Sequence, residues 1–329
     1  MPTSPLEATT RHVLAIDIGG TKLAAGIVSD TGALIDTDRT PTHADEGPEK
    51  VVERILDLSR SLLRRNVVPV ARVGVGCGGP LDTTLGVIQN PPNLPGWIDF
   101  PLVRHLHDAL KLPVVLDNDA NAAALAEYHF GAGRGTRHMV YLTLSTGIGS
   151  GLILNGELYR GKHGNAGELG HLQVKYDGET CNCGGRGCLE HYASGTNIAR
   201  RARELAARHP ESLLARSAAS LHDITAQSVL MALQAGDAVA WDLWNDTLDL
   251  LAAGVASIVH TFDPERIVIG GGVSNFGPLL FDGLRERVQQ RSMPALMGGV
   301  EIRPAEFADN VGVFGAAAIA LHEPQEVLA

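Results

Sequence analysis

A chain of 329 residues is longer than one hydrophobic core usually spans, so two domains are expected. Its 44% hydrophobic and 19% charged residues fit an ordinary globular protein, and no apolar run nears the roughly 20 residues a membrane helix needs. The formal net charge of -10, with no Lys/Arg block, excludes the electrostatic footprint of a nucleic-acid binder. Neither a nucleic-acid nor a membrane partner is therefore expected. Residues 1–10 have no apolar h-region and no basic start, so no secretory leader is expected. Three of the four cysteines lie within residues 181–188, which is not the even spread of a disulfide scaffold. A cytoplasmic protein that binds metal fits better.

In chain order, residues 13–16 read as a buried strand. It runs into the glycine turn Asp17-Ile18-Gly19-Gly20-Thr21-Lys22, which carries a carboxylate and an ammonium. Apolar residues 23–28 follow, Asp30-Thr31-Gly32 turns the chain, and 33–35 resume. The turn thus joins strand to strand, whereas a P-loop joins strand to helix with a spacing absent here. Backbone N–H groups at such a turn can face an anion. Asp17 can hold Mg²⁺ through water, and Lys22 can neutralise charge.

Val51, Val52, Ile55, Leu56, Leu58 and Leu62 have helical spacing and predict a helix over 48–65. A short strand, 73–75, enters Cys77-Gly78-Gly79-Pro80. Three prolines make 90–97 a loop, with Trp97 expected to pack against the other domain or, as the second reading, to wall a pocket. A helix over 102–110 leads to a strand at 113–116. Asp117, Asn118, Asp119 and Asn121 then stand where this strand gives way to a helix over 120–130. Helix capping accounts for one of the four polar residues. Ligands bind at strand ends in α/β folds, and a carboxylate there can accept a proton from a hydroxyl nucleophile, so Asp119 is the candidate base.

A similar pattern recurs: a strand at 138–144, the glycine turn Ser145-Thr146-Gly147-Ile148-Gly149, a strand at 152–154, the hairpin turn Asn155-Gly156, and a strand at 157–159. Repetition of a whole supersecondary unit predicts two related domains around a cleft. Next comes Glu168-Leu169-Gly170-His171, followed by Cys181, Cys183, Cys188 and Glu190. One histidine and three cysteines complete a closed, structural Zn²⁺ site. The competing readings are a Cys183–Cys188 disulfide and chance. Gly184, Gly185 and Gly187 allow the tight turn that wraps a metal. Glu168 and Glu190, braced by the site, suit bidentate contact with vicinal hydroxyls. Helices are predicted over 193–208, 226–235 and from 237 towards 262. A strand at 266–269 ends in Gly270-Gly271-Gly272, and a helix over 278–291, a strand at 300–303 and a Gly/Ala-rich helix over 311–321 close the chain. His138 and His163 read as surface or packing residues.

Taken together, the two glycine turns, the Asn118-Asp119-Ala120-Asn121 segment, and the motifs around His171 and Cys181 to Glu190 resemble the ROK family of sugar kinases. The similarity is closest to its bacterial, ATP-dependent, glucose-phosphorylating branch and runs through nearly the whole chain. Ser145 departs from the glycine common at its position. The resemblance implies an α/β, actin/hexokinase-like (ribonuclease H-like) fold of duplicated domains flanking a cleft. The smaller would comprise residues 1–117 plus about 308–329, and the larger 118–307 with the zinc loop. It implies MgATP-dependent phosphorylation of a hexose 6-hydroxyl, foremost that of D-glucose, with Asp119 as base. Gly79, Asn118, Asp119, Glu168, His171 and Glu190 match sugar contacts, so His171 would serve both zinc and sugar. Asp17, Gly19, Gly20, Thr21 and Lys22, with Thr146, Gly147 and Gly149, match the phosphate turns, and Gly271 and Gly272 would lie near the adenosine. Zn²⁺ would take His171, Cys181, Cys183 and Cys188. Homodimers or homotetramers are implied. Alternatives are fructose, N-acetylglucosamine or N-acetylmannosamine as acceptor, polyphosphate as donor, and a non-catalytic sugar-sensing regulator. Repressors of the family carry a winged helix-turn-helix ahead of the first glycine turn, for which the residues before Asp17 are too few.

Overall fold

The computed structural model describes residues 10–162, 164–307 and 310–322. His163 and residues 1–9, which bear on the leader, lie outside the described residues. The chain divides into two compact units, residues 1–134 with 309–329, and residues 135–308.

The first unit contains β1 (His12–Ile18), β2 (Lys22–Ser29), β3 (Leu34–Pro41), α1 (Pro48–Arg65), β4 (Val70–Cys77), β5 (Leu81–Asp82), β6 (Val87–Ile88), α2 (Leu102–Leu110), β7 (Val114–Asn118) and α3 (Asp119–His129). Its five-stranded sheet runs β3-β2-β1-β4-β7. The β1–β2 and β2–β3 pairs are antiparallel, and β1–β4 and β4–β7 are parallel. Val13 to Ile16 form an unbroken apolar run because β1 is central and covered on both faces. Helix α1 has the predicted bounds. Val51, Val52, Ile55, Leu58 and Leu62 bury one stripe, and its charged residues take the other face. Each such aliphatic side chain contributes roughly 1.5–3 kcal/mol by burial. At its C-terminal end Arg65 donates to Asp36 (2.6 Å) and Asp38 (3.0 Å) of β3, which ties the helix to the sheet edge.

The second unit contains β8 (Met139–Leu144), β9 (Ile148–Leu154), β10 (Glu157–Leu158), α4 (Glu190–Ala193), α5 (Gly195–Arg208), α6 (Leu213–Arg216), α7 (Ala226–Gln234), α8 (Ala238–Phe262), β11 (Arg266–Gly270), α9 (Pro278–Arg291), α10 (Pro294–Met297) and β12 (Glu301–Pro304). Its sheet runs β10-β9-β8-β11-β12, the same order and the same mixture of antiparallel and parallel pairs. The helix predicted over 193–208 begins two residues later, as α5; Ala193 instead ends the short α4. Ser194 leaves helical geometry, and its hydroxyl accepts from the Asn197 N–H (3.3 Å) as the N-cap of α5. Among the described residues no helix is long and apolar enough to cross a membrane.

The last helix, α11 (Val311–His322), belongs to the first unit. Gly74 of β4 has no room for a Cβ because the Ala316 carbonyl of α11 fills that space, and a Cβ on Gly315 would lie 2.6 Å from the Ala122 carbonyl carbon of α3. Small residues on α3 and α11 permit this close approach. It also corrects the expected division at 117/118: α3 packs on α11, so the first unit continues to Arg134. Trp97 is corrected as well. It is fully buried in the first unit's own core, 5.1 Å from the Phe100 ring, because Leu94, Trp97 and Phe100 all turn inward from the proline loop.

Candidate active site

In the first unit the parallel strands finish together. Ile18 pairs with Cys77, and Cys77 with Asn118. The turn after β1, the Gly78-Gly79 segment after β4 and the start of α3 after β7 therefore share the carboxyl edge of one sheet, where α/β folds bind ligands. Thr42, fully buried at the end of β3, fixes the first turn: its hydroxyl donates to the Gly19 carbonyl (2.6 Å) and its N–H to the Thr21 carbonyl (3.0 Å). Gly20 lies against Asn93 of the proline loop. A Cβ there would come 2.7 Å from the Asn93 carbonyl oxygen.

The four polar residues at the β7–α3 junction separate by role. Asp117 is buried, and its Oδ1 accepts from the Asn118 N–H (2.7 Å) and the Asn121 side-chain amide (2.9 Å). Asn118 is the N-cap, its Oδ1 accepting from the Ala120 N–H (2.9 Å), and its amide nitrogen faces Gly79. Asp119 is open to solvent at the first position of α3, beside Gly78. Surrounding protein raises its carboxyl above the usual range, opposed by the Ala120 N–H. Its access to water limits that rise. Asp17 is set deeper. Burial, then the negative charge of Asp119, push its carboxyl up to about 6, while Lys22 pulls it down. The amino-terminal end of α11 abuts Asp17: a Cβ on Gly312 would run into its carboxylate. A divalent cation at Asp17 would offset the repulsion between the two carboxylates, so the pair suits Mg²⁺. Cys77 is buried behind them, and burial pushes its thiol up, leaving it unreactive.

In the second unit, β8 and β11 end at the corresponding edge. The Gly195 N–H at the head of α5 donates to the Ser145 carbonyl (2.7 Å). Gly271 has φ +86°, and a Cβ there would come 2.8 Å from the Leu144 nitrogen, so glycine is required for this approach. A cavity of about 500 Å³ opens beside the turn, with Ser145, Thr146, Thr196, Arg203, Gln227, Gly272 and Asn275 in its wall. Its size and mixed lining suit a small-molecule ligand such as a nucleoside. Of the residues expected near the nucleotide in this unit, Thr146 and Gly272 form part of the wall. Gly271 instead packs on Leu144, Gly149 lies within β9 opposite Thr143, and Gly147 lies against Glu190.

Glu190, the first residue of α4, accepts through Oε2 from the Ile148 N–H (2.7 Å). Glu168 is largely exposed, with its Oε2 4.0 Å from His171 Nε2. The other face of that imidazole turns to the cysteines: His171 Nδ1 is 3.9 Å from Cys181 Sγ, and Cys183 Sγ is 3.7 Å from Cys188 Sγ. The cysteines are unbonded to one another, and the four donor atoms lie within 4.8 Å of one another. Zn–S bonds of about 2.3 Å in a tetrahedron put sulfurs roughly 3.8 Å apart. The cluster therefore fits a structural Zn²⁺, with Nε2 of His171 left for another partner. The cavity residues Thr196, Gln227 and Asn275, and Asn93 at the first turn, carried no motif in the sequence; folding alone brings them to these places. His138, read as surface or packing, is half-buried and bonded through Nδ1 to the Asn155 N–H (3.4 Å).

Residues 13–323 match the ROK family. A Thermotoga maritima protein named glucokinase is 38% identical over 307 residues, covering 93% of this chain and 96% of its own. A glucokinase from Halalkalibacterium halodurans is 37% identical over 309 residues, covering 93% of each. Among solved structures, a ROK family glucokinase from Streptomyces griseus in complex with glucose and AMPPNP matches with a TM-score of 0.78 and 35% identity, over 94% of this chain and 99% of that one. The duplicated sheets accordingly have the actin/hexokinase-like fold expected from the sequence.

Proposed function

The chain belongs to the ROK family, and on that premise we propose that it transfers the γ-phosphoryl group of ATP to the 6-hydroxyl of a hexose, D-glucose before others. The observation that carries the reading is the sorting of carboxylates at the β7–α3 junction. Asp117 is consumed by the Asn118 and Asn121 amides, whereas Asp119 stands open at the sheet edge beside Gly78. In this role Asp119 accepts the proton of the attacking hydroxyl. In phosphoryl transfer that group chiefly orients the nucleophile, because the transition state is loose. Asn118 and Gly79 lie on the same edge, and Glu168, His171 and Glu190 supply acceptors and a ring nitrogen for the remaining hydroxyls. MgATP, when bound, supplies the phosphoryl group and the cation that neutralises its charge. Toward it, Asp17 and Lys22 present a carboxylate and an ammonium, and Gly19, Gly20, Thr21 and Thr146 present turn backbone and hydroxyls. Gly272 and the polar wall of the 500 Å³ cavity suit the nucleoside. Zn²⁺ braces the loop and leaves the chemistry to these groups.

The test is ADP release with MgATP and glucose, mannose, fructose, N-acetylglucosamine or N-acetylmannosamine. Glucose is expected to give the highest kcat/KM. An enzyme that prefers an acetamido sugar by tenfold would keep the chemistry and overturn the acceptor. No sugar-dependent ADP release with any of them would overturn the kinase reading.

A further inference from the structure

We propose that the second glycine turn positions the sugar-binding carboxylate: the missing Cβ of Gly147 and the N–H of Ile148 together set Glu190. This rests on the reading of Glu190 as a sugar contact. Three observations converge on residues 147–150. The Ile148 N–H, on a residue 3% exposed, donates to Oε2 of the half-buried Glu190 at 2.7 Å, a charge-assisted bond. A Cβ on Gly147 would lie 2.6 Å from the same Oε2 and 3.4 Å from the Glu190 carboxyl carbon. Two residues on, the buried Ser150 hydroxyl donates to the Gly167 carbonyl and accepts from the Leu169 N–H (3.2 Å), gripping the segment that carries Glu168 and His171. The start of β9 therefore holds both sugar-side segments. The backbone N–H that a phosphate-binding turn would turn toward an anion here goes to a carboxylate of the protein.

The geometry separates recognition from folding. Gly147 does not occupy the left-handed region, so alanine is permitted there. What its methyl would displace is the far end of a flexible side chain, an inexpensive shift for the fold. That end is the atom group that reads the sugar, and displacements of about 1 Å in such groups cost up to roughly a hundredfold in catalysis. Gly147→Ala is thus a positioning variant whose effect falls on one substrate.

The experiment is steady-state kinetics with hexose and ATP varied separately, for wild type, Gly147→Ala, Ser150→Ala and Glu190→Gln, with melting curves for each. Gly147→Ala is expected to raise the hexose KM at least about tenfold and to change the ATP KM by less than about twofold. Ser150→Ala should shift the hexose KM in the same direction, and it carries the test if Gly147→Ala does not fold. A rise in the ATP KM with an unchanged hexose KM would overturn the proposal and assign Gly147 to phosphate. If Glu190→Gln leaves the hexose KM unchanged, the underlying reading of Glu190 fails. If Glu190→Gln raises it and neither Gly147→Ala nor Ser150→Ala does, the positioning inference alone fails.

Discussion

Asp117 and Asp119 carry the same functional group two positions apart, and their surroundings give them different work. Asp117 spends its Oδ1 on Asn118 and Asn121, while Asp119 remains available. Asp17 shows what such an arrangement costs. Its carboxyl is pushed from 3.8 up to about 6 by burial and by Asp119. The folded protein therefore binds this proton more tightly than the unfolded chain does. The stabilising contribution is fully present below pH 4 and is lost as pH rises through about 6, a loss of at most about 3 kcal/mol. Asp17→Asn should flatten this part of the stability curve. Urea denaturation at pH 4.5 and 7.5 measures it: the variant should gain on wild type at the higher pH. An unchanged difference between the two proteins would show that Asp17 titrates normally. The same variant should lose activity, because stability recovered at a strained site is commonly paid for in function.

Among elements, the loop of His171 and the three cysteines joins structure to recognition through one residue in the proposed function. Nδ1 of His171 faces the cysteines and Nε2 faces Glu168. Elemental analysis should find about one zinc per chain. Cys183→Ser should release it and weaken sugar binding by about tenfold or more through loss of the His171 orientation. Unchanged sugar affinity in a zinc-free protein would separate the loop from recognition. This loop was legible in the sequence because its ligands are close together and glycines lie between them. Helix α1 was legible in full because a long amphipathic stripe, an N1 proline and basic final residues agree, and α9 because an N1 proline and a basic final residue mark its ends. The start of α5 was less clear and is two residues later than expected, since Ser194 shows itself as the cap only where its hydroxyl finds the Asn197 N–H. The placement of α3 was hidden. Its alanines show no amphipathic stripe, and the partner that covers them, α11, lies far along the chain. The link from Ile148 to Glu190 left no local signal, because a backbone donor has no residue type to recognise.

At the level of the whole chain, the weak sequence repeat corresponds to a full structural one: both sheets place an antiparallel meander beside parallel strands in the same order. Each unit uses the carboxyl edge of its sheet. The first brings Asp17, Gly79, Asn118 and Asp119 there, and the second brings the Ser145 and Gly271 turns. Duplication explains why two glycine turns occur, and divergence explains why they differ. The first rests on Thr42 and Asn93, whereas the second holds Glu190. In the proposed function this chain moves the γ-phosphoryl group of ATP to a hexose 6-hydroxyl with Asp119 as the accepting base. The most direct measurement is ³¹P and ¹³C NMR of the product formed from glucose and MgATP, run in parallel with Asp119→Ala. Glucose 6-phosphate is expected from the wild type, and a rate at least about a hundredfold lower from a folded variant that still binds glucose. Phosphate on another carbon, or near-normal turnover without Asp119, would contradict it.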